Sequence, residues 1–240
     1  MERWEEVKPG GLRFVWDGDL FRPGTDTFLL SAFPKLKPGL RVCDLGCGTG
    51  LLGMLLLSRQ GEITVTGIEK NADAAALAGR CVQENSLTDR AFVVQMDIRD
   101  ARDRFPSGSF DLIVSNPPYY ARGRGREARD PVRRLARSEG ACSWEDWTAA
   151  AAYLLRWGGR FCFTWKPERL TDALCTLREG GMEPKRLRLA CTRPGDAPFL
   201  ALIEGRRGGS PGMDVERPLF LRRADGTDAA ELDAVYFRKP

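Results

Sequence analysis

Leu40-Arg41-Val42-Cys43-Asp44-Leu45-Gly46-Cys47-Gly48-Thr49-Gly50 is the stretch that decides the fold. Its first five residues form a short, mostly apolar run that predicts a buried strand. Residues 46–50 predict a glycine-rich turn, because glycine adopts positive φ and lets the backbone approach a ligand closely. Residues 51–59 predict a helix. A strand that passes through such a turn into a helix is typical of a nucleotide-binding α/β unit.

Beyond this unit the chain alternates predicted strands and helices. The sequence predicts further strands at residues 63–69, 91–95, 110–114 and 160–165, and a final antiparallel pair at 187–191 and 199–204; helices are predicted at 72–84, 143–156 and 167–180. This order predicts an α/β fold: a Rossmann-like, seven-stranded, mostly parallel sheet with helices on both faces. Ligands of such sheets bind beyond the carboxyl ends of the strands.

The chain divides into three predicted parts. Residues 1–39 form an N-terminal extension, with a hairpin that turns at Asp17-Gly18 and a short helix capped by Thr25 or Asp26. Residues 40–205 form the main domain, and residues 206–240 form a linker and a small β tail. The linker prediction rests on residues 206–212, Arg-Arg-Gly-Gly-Ser-Pro-Gly.

The composition narrows the possible chemistry. The chain has 240 residues, of which 42% are hydrophobic and 29% charged, as in a soluble globular protein. It contains no His, which excludes an imidazole base or metal ligand. Seven scattered Cys without a Cys-x-x-Cys pair predict reduced thiols and no metal site. Without a signal peptide or a long apolar run, we expect a cytoplasmic protein with no membrane partner; its oligomeric state is left open.

Three acids follow three successive predicted strands. Gly48-Thr49-Gly50-Leu51-Leu52-Gly53 matches the dinucleotide fingerprint, so an NAD site is one interpretation and a structural turn another. Asp44, however, places a carboxylate beside the turn, where a pyrophosphate would otherwise lie and where an ammonium or sulfonium group fits better. Glu69 can accept ribose hydroxyls, and Asp97 can accept an adenine amino group. This pattern favours S-adenosylmethionine as cofactor.

Asn116-Pro117-Pro118-Tyr119 follows the strand predicted at 110–114. Two prolines end the strand and stiffen the loop, because neither has an N–H and each fixes φ near −65°. The Asn116 Oδ1 and the Pro117 carbonyl could accept the two hydrogens of a planar NH2 group while Tyr119 covers its face. Taken alone, the tetrapeptide is equally well explained as a rigid turn.

Together these motifs resemble class I S-adenosylmethionine-dependent methyltransferases that act on amino groups. Asn-Pro-Pro-Tyr is similar to the motif of enzymes that methylate adenine N6 or glutamine amides. The segment 21–30 (Phe-Arg-Pro-Gly-Thr-Asp-Thr-Phe-Leu-Leu) and segments 136–139 and 184–188 resemble the bacterial tRNA(valine) adenine-N6 methyltransferases. The resemblance implies a catalytic loop of Asn116, Pro117, Pro118 and Tyr119. It also implies a cofactor site made of Asp44, Gly46, Gly48, Gly50, Glu69, Lys70, Asp97, Ile98, Asn116 and Thr25.

Residues 121–140 hold seven Arg against three acids, a local excess equal to the whole chain's net charge of +4. Arginine suits bidentate phosphate contacts, so this loop predicts a tRNA partner, although a solvated loop without a partner would have the same composition. The predicted contacts are Arg122, Arg124, Arg126, Arg129, Arg133 and Arg134. Trp144 and Trp147, which follow the loop, lie at helical spacing and are interpreted as core residues.

Two alternatives to a tRNA adenine-N6 methyltransferase stay open. Glutamine methyltransferases of release factors share the tetrapeptide, but they carry a substantial helical domain before the first strand, where this chain has only 39 residues. The second alternative is a nucleic-acid-binding protein that retains a cofactor pocket but does not catalyse methyl transfer.

Overall fold

The computed structural model describes residues 2–18, 23–118 and 142–238. Tyr119 and the six arginines predicted to bind nucleic acid lie outside the described residues. Within them, no helix is long and apolar enough to cross a membrane.

Strands and helices alternate through most of the described chain. The strands are β1 (Glu2–Glu6), β2 (Arg13–Asp17), β3 (Arg41–Leu45), β4 (Thr64–Glu69), β5 (Ala91–Gln95), β6 (Phe110–Ser115), β7 (Leu155–Trp165), β8 (Met182–Cys191), β9 (Pro198–Arg207), β10 (Asp214–Val215) and β11 (Leu219–Phe220). The α-helices are α1 (Thr25–Ala32), α2 (Leu51–Arg59), α3 (Ala72–Glu84), α4 (Ala101–Arg104), α5 (Trp144–Leu154), α6 (Leu170–Glu179) and α7 (Glu231–Val235). Short 3-10 turns at Ile98–Asp100 and Pro167–Arg169 precede α4 and α6.

The central sheet has the order β8-β9-β7-β6-β3-β4-β5. Neighbours from β7 through β5 are parallel, whereas β9 runs antiparallel to both β7 and β8. The short strands β10 and β11 add to the outer edge along β8. The chain runs outward from β3 through β4 to β5 and then returns to β6 on the other side of β3. The strand order therefore reverses between β3 and β6, which is where such a sheet binds ligands.

Helices cover both faces of the sheet. One buried cluster joins α1, α2 and α3 to the sheet and includes Leu30, Val42 and Leu55. A second cluster on the other face joins α5 and α6 to it and includes Ile113 and Phe161. Each face of the central strands therefore buries apolar side chains, which explains why the middle residues of these strands, such as 112–114 and 161–163, are apolar.

The first two strands form a hairpin that the sequence did not predict. Strand β2 forms, but it pairs antiparallel with β1, and the chain reverses at residues 7–12, where Val7 N–H donates to the Leu12 carbonyl at 2.8 Å. The second strand of the hairpin predicted at Asp17-Gly18, residues 20–22, lies outside the described residues. β1 is mostly exposed and charged, so it lacks the apolar alternation that identifies a strand.

The last strands are longer than predicted. β7 begins at Leu155, directly after α5, and includes Gly158 and Gly159. Phe110 of β6 pairs with Leu155, but Leu112 pairs with Arg160, so the register shifts between them. The two glycines lie in the extra residues of β7 at this shift. β8 begins at Met182 and passes through Pro184, beside a second register shift.

Candidate active site

The glycine turn after β3 carries three residues with positive φ: Gly46 at 66°, Gly48 at 54° and Gly50 at 83°. A Cβ on Gly46 would lie 2.4 Å from the Trp147 ring, whereas a Cβ on Gly48 would meet nothing within 4 Å. Gly46 therefore permits close packing of α5 against the turn. The backbone at Gly48 borders open space where a ligand can approach it.

Asp44 lies at the base of this turn and is only 2% exposed. Its Oδ2 is buried without a hydrogen-bond partner. Burial raises the pKa of this carboxyl well above its ordinary value, and the nearby Glu69 raises it further, while a backbone hydrogen bond from Gly53 lowers it. Burying a carboxylate oxygen without a hydrogen-bond partner costs folding free energy, unless a cationic group binds it. The ammonium group of S-adenosylmethionine is such a partner, so the residue fits the predicted cofactor.

Glu69 ends β4 and is tied to the glycine turn. Its Oε2 accepts a hydrogen bond from the Gly48 N–H at 2.9 Å, and its Oε1 accepts one from the Asn71 N–H at 2.7 Å. Asn71 in turn caps α3 by accepting from the Ala74 N–H at 3.0 Å. Each carboxylate oxygen can accept more than one hydrogen bond, so these contacts leave room for ribose hydroxyls.

Asp97 follows β5 and is already well supplied with donors. Arg99 contacts it at 2.6 Å, Lys70 at 2.9 Å and the Cys142 thiol at 3.4 Å. The hydrogen bonds from Arg99, together with those from Lys70 and Cys142, hold the pKa of this carboxyl well below its ordinary range, against a smaller opposing effect of burial. A base amino group at Asp97 would have to share or replace one of these donors, and the half-exposed Lys70 is the easiest to move. The next residue, Ile98, is buried.

Asn116 follows β6, beside the end of β3. Asp44 pairs with Val114, and the buried Ser115 hydroxyl donates to the Leu45 carbonyl at 2.9 Å, which fixes the two strand ends side by side. The carboxamide of Asn116 meets two threonines. Its Oδ1 accepts from the Thr164 hydroxyl at 2.6 Å, and its Nδ2 donates to Thr27 Oγ1 at 3.3 Å. Pro117 is buried and Pro118 is exposed.

The methyltransferase small domain family model matches residues 15–136, half of the chain. The chain belongs to this family. The match includes the glycine turn, the three strand-end acids and the Asn-Pro-Pro-Tyr tetrapeptide. The predictions of a methyltransferase and of its S-adenosylmethionine cofactor are therefore confirmed at the level of the family.

Curated relatives cover most of the chain. A protein of Tolumonas auensis named tRNA1(Val) (adenine(37)-N6)-methyltransferase is 29% identical over 213 residues, which span 88% of this chain and 86% of the relative. A Yersinia pseudotuberculosis protein of the same name is 34% identical over 162 residues, or 65% of this chain and 63% of the relative.

Solved structures of other methyltransferases share the fold. A predicted O-methyltransferase from Agrobacterium tumefaciens superposes with a TM-score of 0.72 at 21% identity, covering 89% of this chain and 96% of that one. A geranyl diphosphate methyltransferase in complex with S-adenosylmethionine gives a TM-score of 0.55 at 17% identity, covering 75% and 83%. At these identities the likeness concerns the fold alone, and it confirms the predicted class I architecture.

Two threonines of the site were not predicted from the sequence of this methyltransferase. Thr27 and Thr164 contact Asn116, although they lie 89 and 48 positions away along the chain. Thr25, which was predicted to bind the cofactor, accepts a hydrogen bond from the Tyr236 hydroxyl at 3.4 Å. Thr27 lies within the segment that carried the family resemblance, so a signal existed for it. For Thr164, its place at the carboxyl end of a strand was the one available signal.

Trp144 and Trp147 pack as predicted. Trp147 is 7% exposed beneath the glycine turn, and Trp144 joins an aromatic cluster in which its ring lies 4.4 Å from Trp165 and 4.7 Å from Phe163. Among the described residues, no group of three or more Cys, Asp or Glu side chains is arranged to hold a metal ion. That the enzyme works without a metal stays a prediction.

Proposed function

We propose that this protein transfers the methyl group of S-adenosylmethionine to the exocyclic N6 amine of an adenine in a tRNA. The observation that carries the proposal is the position of the Asn116 carboxamide at the point where the strand order reverses. Val114 pairs with Asp44, so Asn116 lies two residues beyond the level of the acid that suits the cofactor's ammonium group. The named relatives methylate adenine 37 of tRNA1(Val), and we take that nucleotide as the target here.

The residues of the chain divide the work between cofactor and substrate. Asp44 would hold the ammonium group, Glu69 the ribose hydroxyls, and the backbone at Gly48 would border the cofactor. When bound, S-adenosylmethionine supplies a methyl group activated by an adjacent sulfonium. Lys70, Asp97 and Ile98 would surround the cofactor's base.

Asn116 and Pro117 act on the substrate amine. The lone pair of adenine N6 is delocalised into the ring, so the amine is a poor nucleophile. Acceptance of its two hydrogens by Asn116 Oδ1 and the Pro117 carbonyl favours a more tetrahedral nitrogen with an available lone pair. The base must leave its stack to reach this loop, where Tyr119 would cover its face. After transfer the cationic nitrogen is strongly acidic, so its proton can pass to water without a histidine.

The arginines of residues 121–140 would bind the phosphates of the tRNA anticodon arm. A tRNA substrate also implies that the protein acts in the cytoplasm. A glutamine amide would present the same planar NH2 group to Asn116, so the tetrapeptide alone does not separate the two substrates. The curated relatives favour tRNA.

The test is the Asn116→Ala variant. We expect it to abolish formation of N6-methyladenosine in tRNA, because the amine loses one of its two acceptors, while the dissociation constant for S-adenosylmethionine, measured by calorimetry, stays within about threefold of wild type. A loss of cofactor binding comparable to the loss of turnover would contradict the role assigned to Asn116. A wild-type enzyme that labels protein glutamine instead of tRNA would contradict the proposed substrate.

A further inference from the structure

We propose that Thr164 and Thr27 are positioning residues that fix the orientation of the Asn116 carboxamide, so that Oδ1 faces the substrate amine. The inference rests on the proposed function, because it concerns the loop that holds the amine. Neither threonine touches substrate or cofactor in this scheme. Both act through Asn116.

Thr164 is held rigidly beside the loop. It is the penultimate residue of β7 and is fully buried. Its neighbour Phe163 pairs with Ser115 of β6, so Thr164 lies level with Asn116 on the adjacent strand. On its other side Thr164 pairs with Leu202 of β9. A side chain in the middle of a sheet, with strands on both sides, has little freedom to move, so its hydroxyl fixes the position of Asn116 Oδ1.

Thr27 reaches the same carboxamide from outside the sheet. It lies in the first turn of α1 and is 3% exposed. α1 packs against α2 and β7, and the ring centroids of its Phe28 and of Tyr236 in the C-terminal tail lie 4.9 Å apart. The helix is thus anchored by several elements. Thr27 Oγ1 accepts from Asn116 Nδ2, which fixes the end of the amide opposite to Oδ1.

The orientation of the amide decides whether the amine can be held. If the Asn116 amide were rotated by half a turn, its NH2 group would face the NH2 group of the substrate. The hydrogens of the two groups would then repel each other. In the structure Oδ1 contacts Thr164 and Nδ2 contacts Thr27, so the two hydroxyls hold the carboxamide in this orientation before the base arrives. A carbonyl oxygen can accept two hydrogen bonds, so donation from Thr164 is compatible with donation from the amine. Such preorganisation lowers the barrier without adding a group that reacts.

The test compares Thr164→Val, Thr164→Ser and Thr27→Val with Thr148→Val as control. Valine keeps the shape of threonine but removes the hydroxyl, and serine restores it. Thr148 is a buried threonine of α5, 2% exposed, whose hydroxyl donates to the Glu145 carbonyl at 3.0 Å. The control therefore reports the cost of deleting a buried hydroxyl away from Asn116. For each variant we would measure kcat for tRNA methylation, KM for S-adenosylmethionine, KM for tRNA, and Tm.

We expect Thr164→Val to lower kcat by about 10- to 100-fold, with KM for S-adenosylmethionine nearly unchanged, and Thr27→Val to lower it less because its contact is longer. Thr164→Ser should recover most of the rate, and Thr148→Val should change Tm without changing kcat. If the wild type is active on tRNA and Thr164→Val keeps kcat within twofold, the inference is wrong and the proposed function stands. If the wild type methylates no adenine, the proposed function fails, and this inference fails with it.

Discussion

The carboxylate of Glu69 accepts a hydrogen bond from the backbone N–H of Gly48 at 2.9 Å. The acid at the end of β4 is therefore oriented by the turn at the end of β3, and these two parts of the proposed cofactor site form one unit. Sequence patterns place both features at strand ends but give no sign that they are bonded to each other. This contact suggests that damage to either part weakens the whole site.

Glu69→Gln should weaken cofactor binding. Glutamine has a single acceptor oxygen, so it can keep either the Gly48 or the Asn71 contact, and it loses the charge that strengthens a hydrogen bond to ribose. We expect the dissociation constant for S-adenosylmethionine to rise by about 10- to 100-fold, as for the loss of a hydrogen bond to a charged group. Calorimetry measures this directly. Glu62→Gln, an exposed residue at the other end of the sheet, is the control; equal constants for both variants would contradict the role of Glu69.

Asp44 should make the cofactor-free protein less stable as pH rises. Its folded-state pKa is raised above the unfolded value of about 3.8, so the folded protein binds more protons than the unfolded one above that pH. The free energy of unfolding therefore falls as pH rises from about 4 through the folded pKa. Asp97 and Asp111 have lowered pKa values, so their stabilising contributions are lost only below about 4 and do not mask this trend.

Urea unfolding from pH 4.5 to 8 checks this expectation. Asp44→Asn removes the titrating group, so its stability should depend less on pH than that of wild type, and its affinity for S-adenosylmethionine should fall at least about tenfold. Saturating cofactor should also reduce the slope for the wild type, because a cation then favours the ionised carboxylate. Parallel pH profiles for the two proteins would show that Asp44 is not the group responsible.

Gly46→Ala and Gly48→Ala should separate packing from ligand access. Both impose a positive φ on alanine, at a cost of about 1 to 2 kcal/mol. At Gly46 the new Cβ would also lie 2.4 Å from the Trp147 ring, which adds about 1 to 3 kcal/mol of overpacking. We expect Gly46→Ala to lower Tm more than Gly48→Ala does. Gly48→Ala should lower Tm only slightly but should weaken cofactor binding. The reverse order of the Tm values would be inconsistent with this packing.

Arginines of residues 121–140 should account for the salt dependence of tRNA binding. Each phosphate contact removed lowers the slope of log K against log salt by roughly 1. We expect Arg124→Ala and Arg133→Ala each to lower the slope by about that amount, as measured by filter binding at several salt concentrations. Arg206→Ala, an exposed arginine at the end of β9, is the matched control. A slope unaffected in the loop variants would leave the loop without a role in RNA binding.

Local signals explain which elements could be predicted. α2 and α3 have the predicted limits, because α2 follows a glycine turn and α3 begins directly after the capping residue Asn71. The hairpin at Asp17-Gly18 stays a prediction, because its second strand lies outside the described residues. The pairing of β2 with β1 was missed because the charged β1 has no apolar pattern.

The site was predictable only in part. Acids and glycines at strand ends follow from local patterns, since the carboxyl ends of parallel strands share one edge. The contacts of Asn116 with Thr27 and Thr164 depend on how α1 and β7 meet that edge, and no local pattern encodes such a meeting.

Incubation of the wild-type protein with methyl-labelled S-adenosylmethionine, total tRNA and a peptide release factor tests the central claim most directly. After the tRNA is digested and its nucleosides are separated, we expect the label in N6-methyladenosine and none in the release factor. With Asn116→Ala we expect no label in the tRNA or in the release factor. Label in glutamine of the release factor, or no label in tRNA under conditions where the protein binds both cofactor and tRNA, would contradict the account.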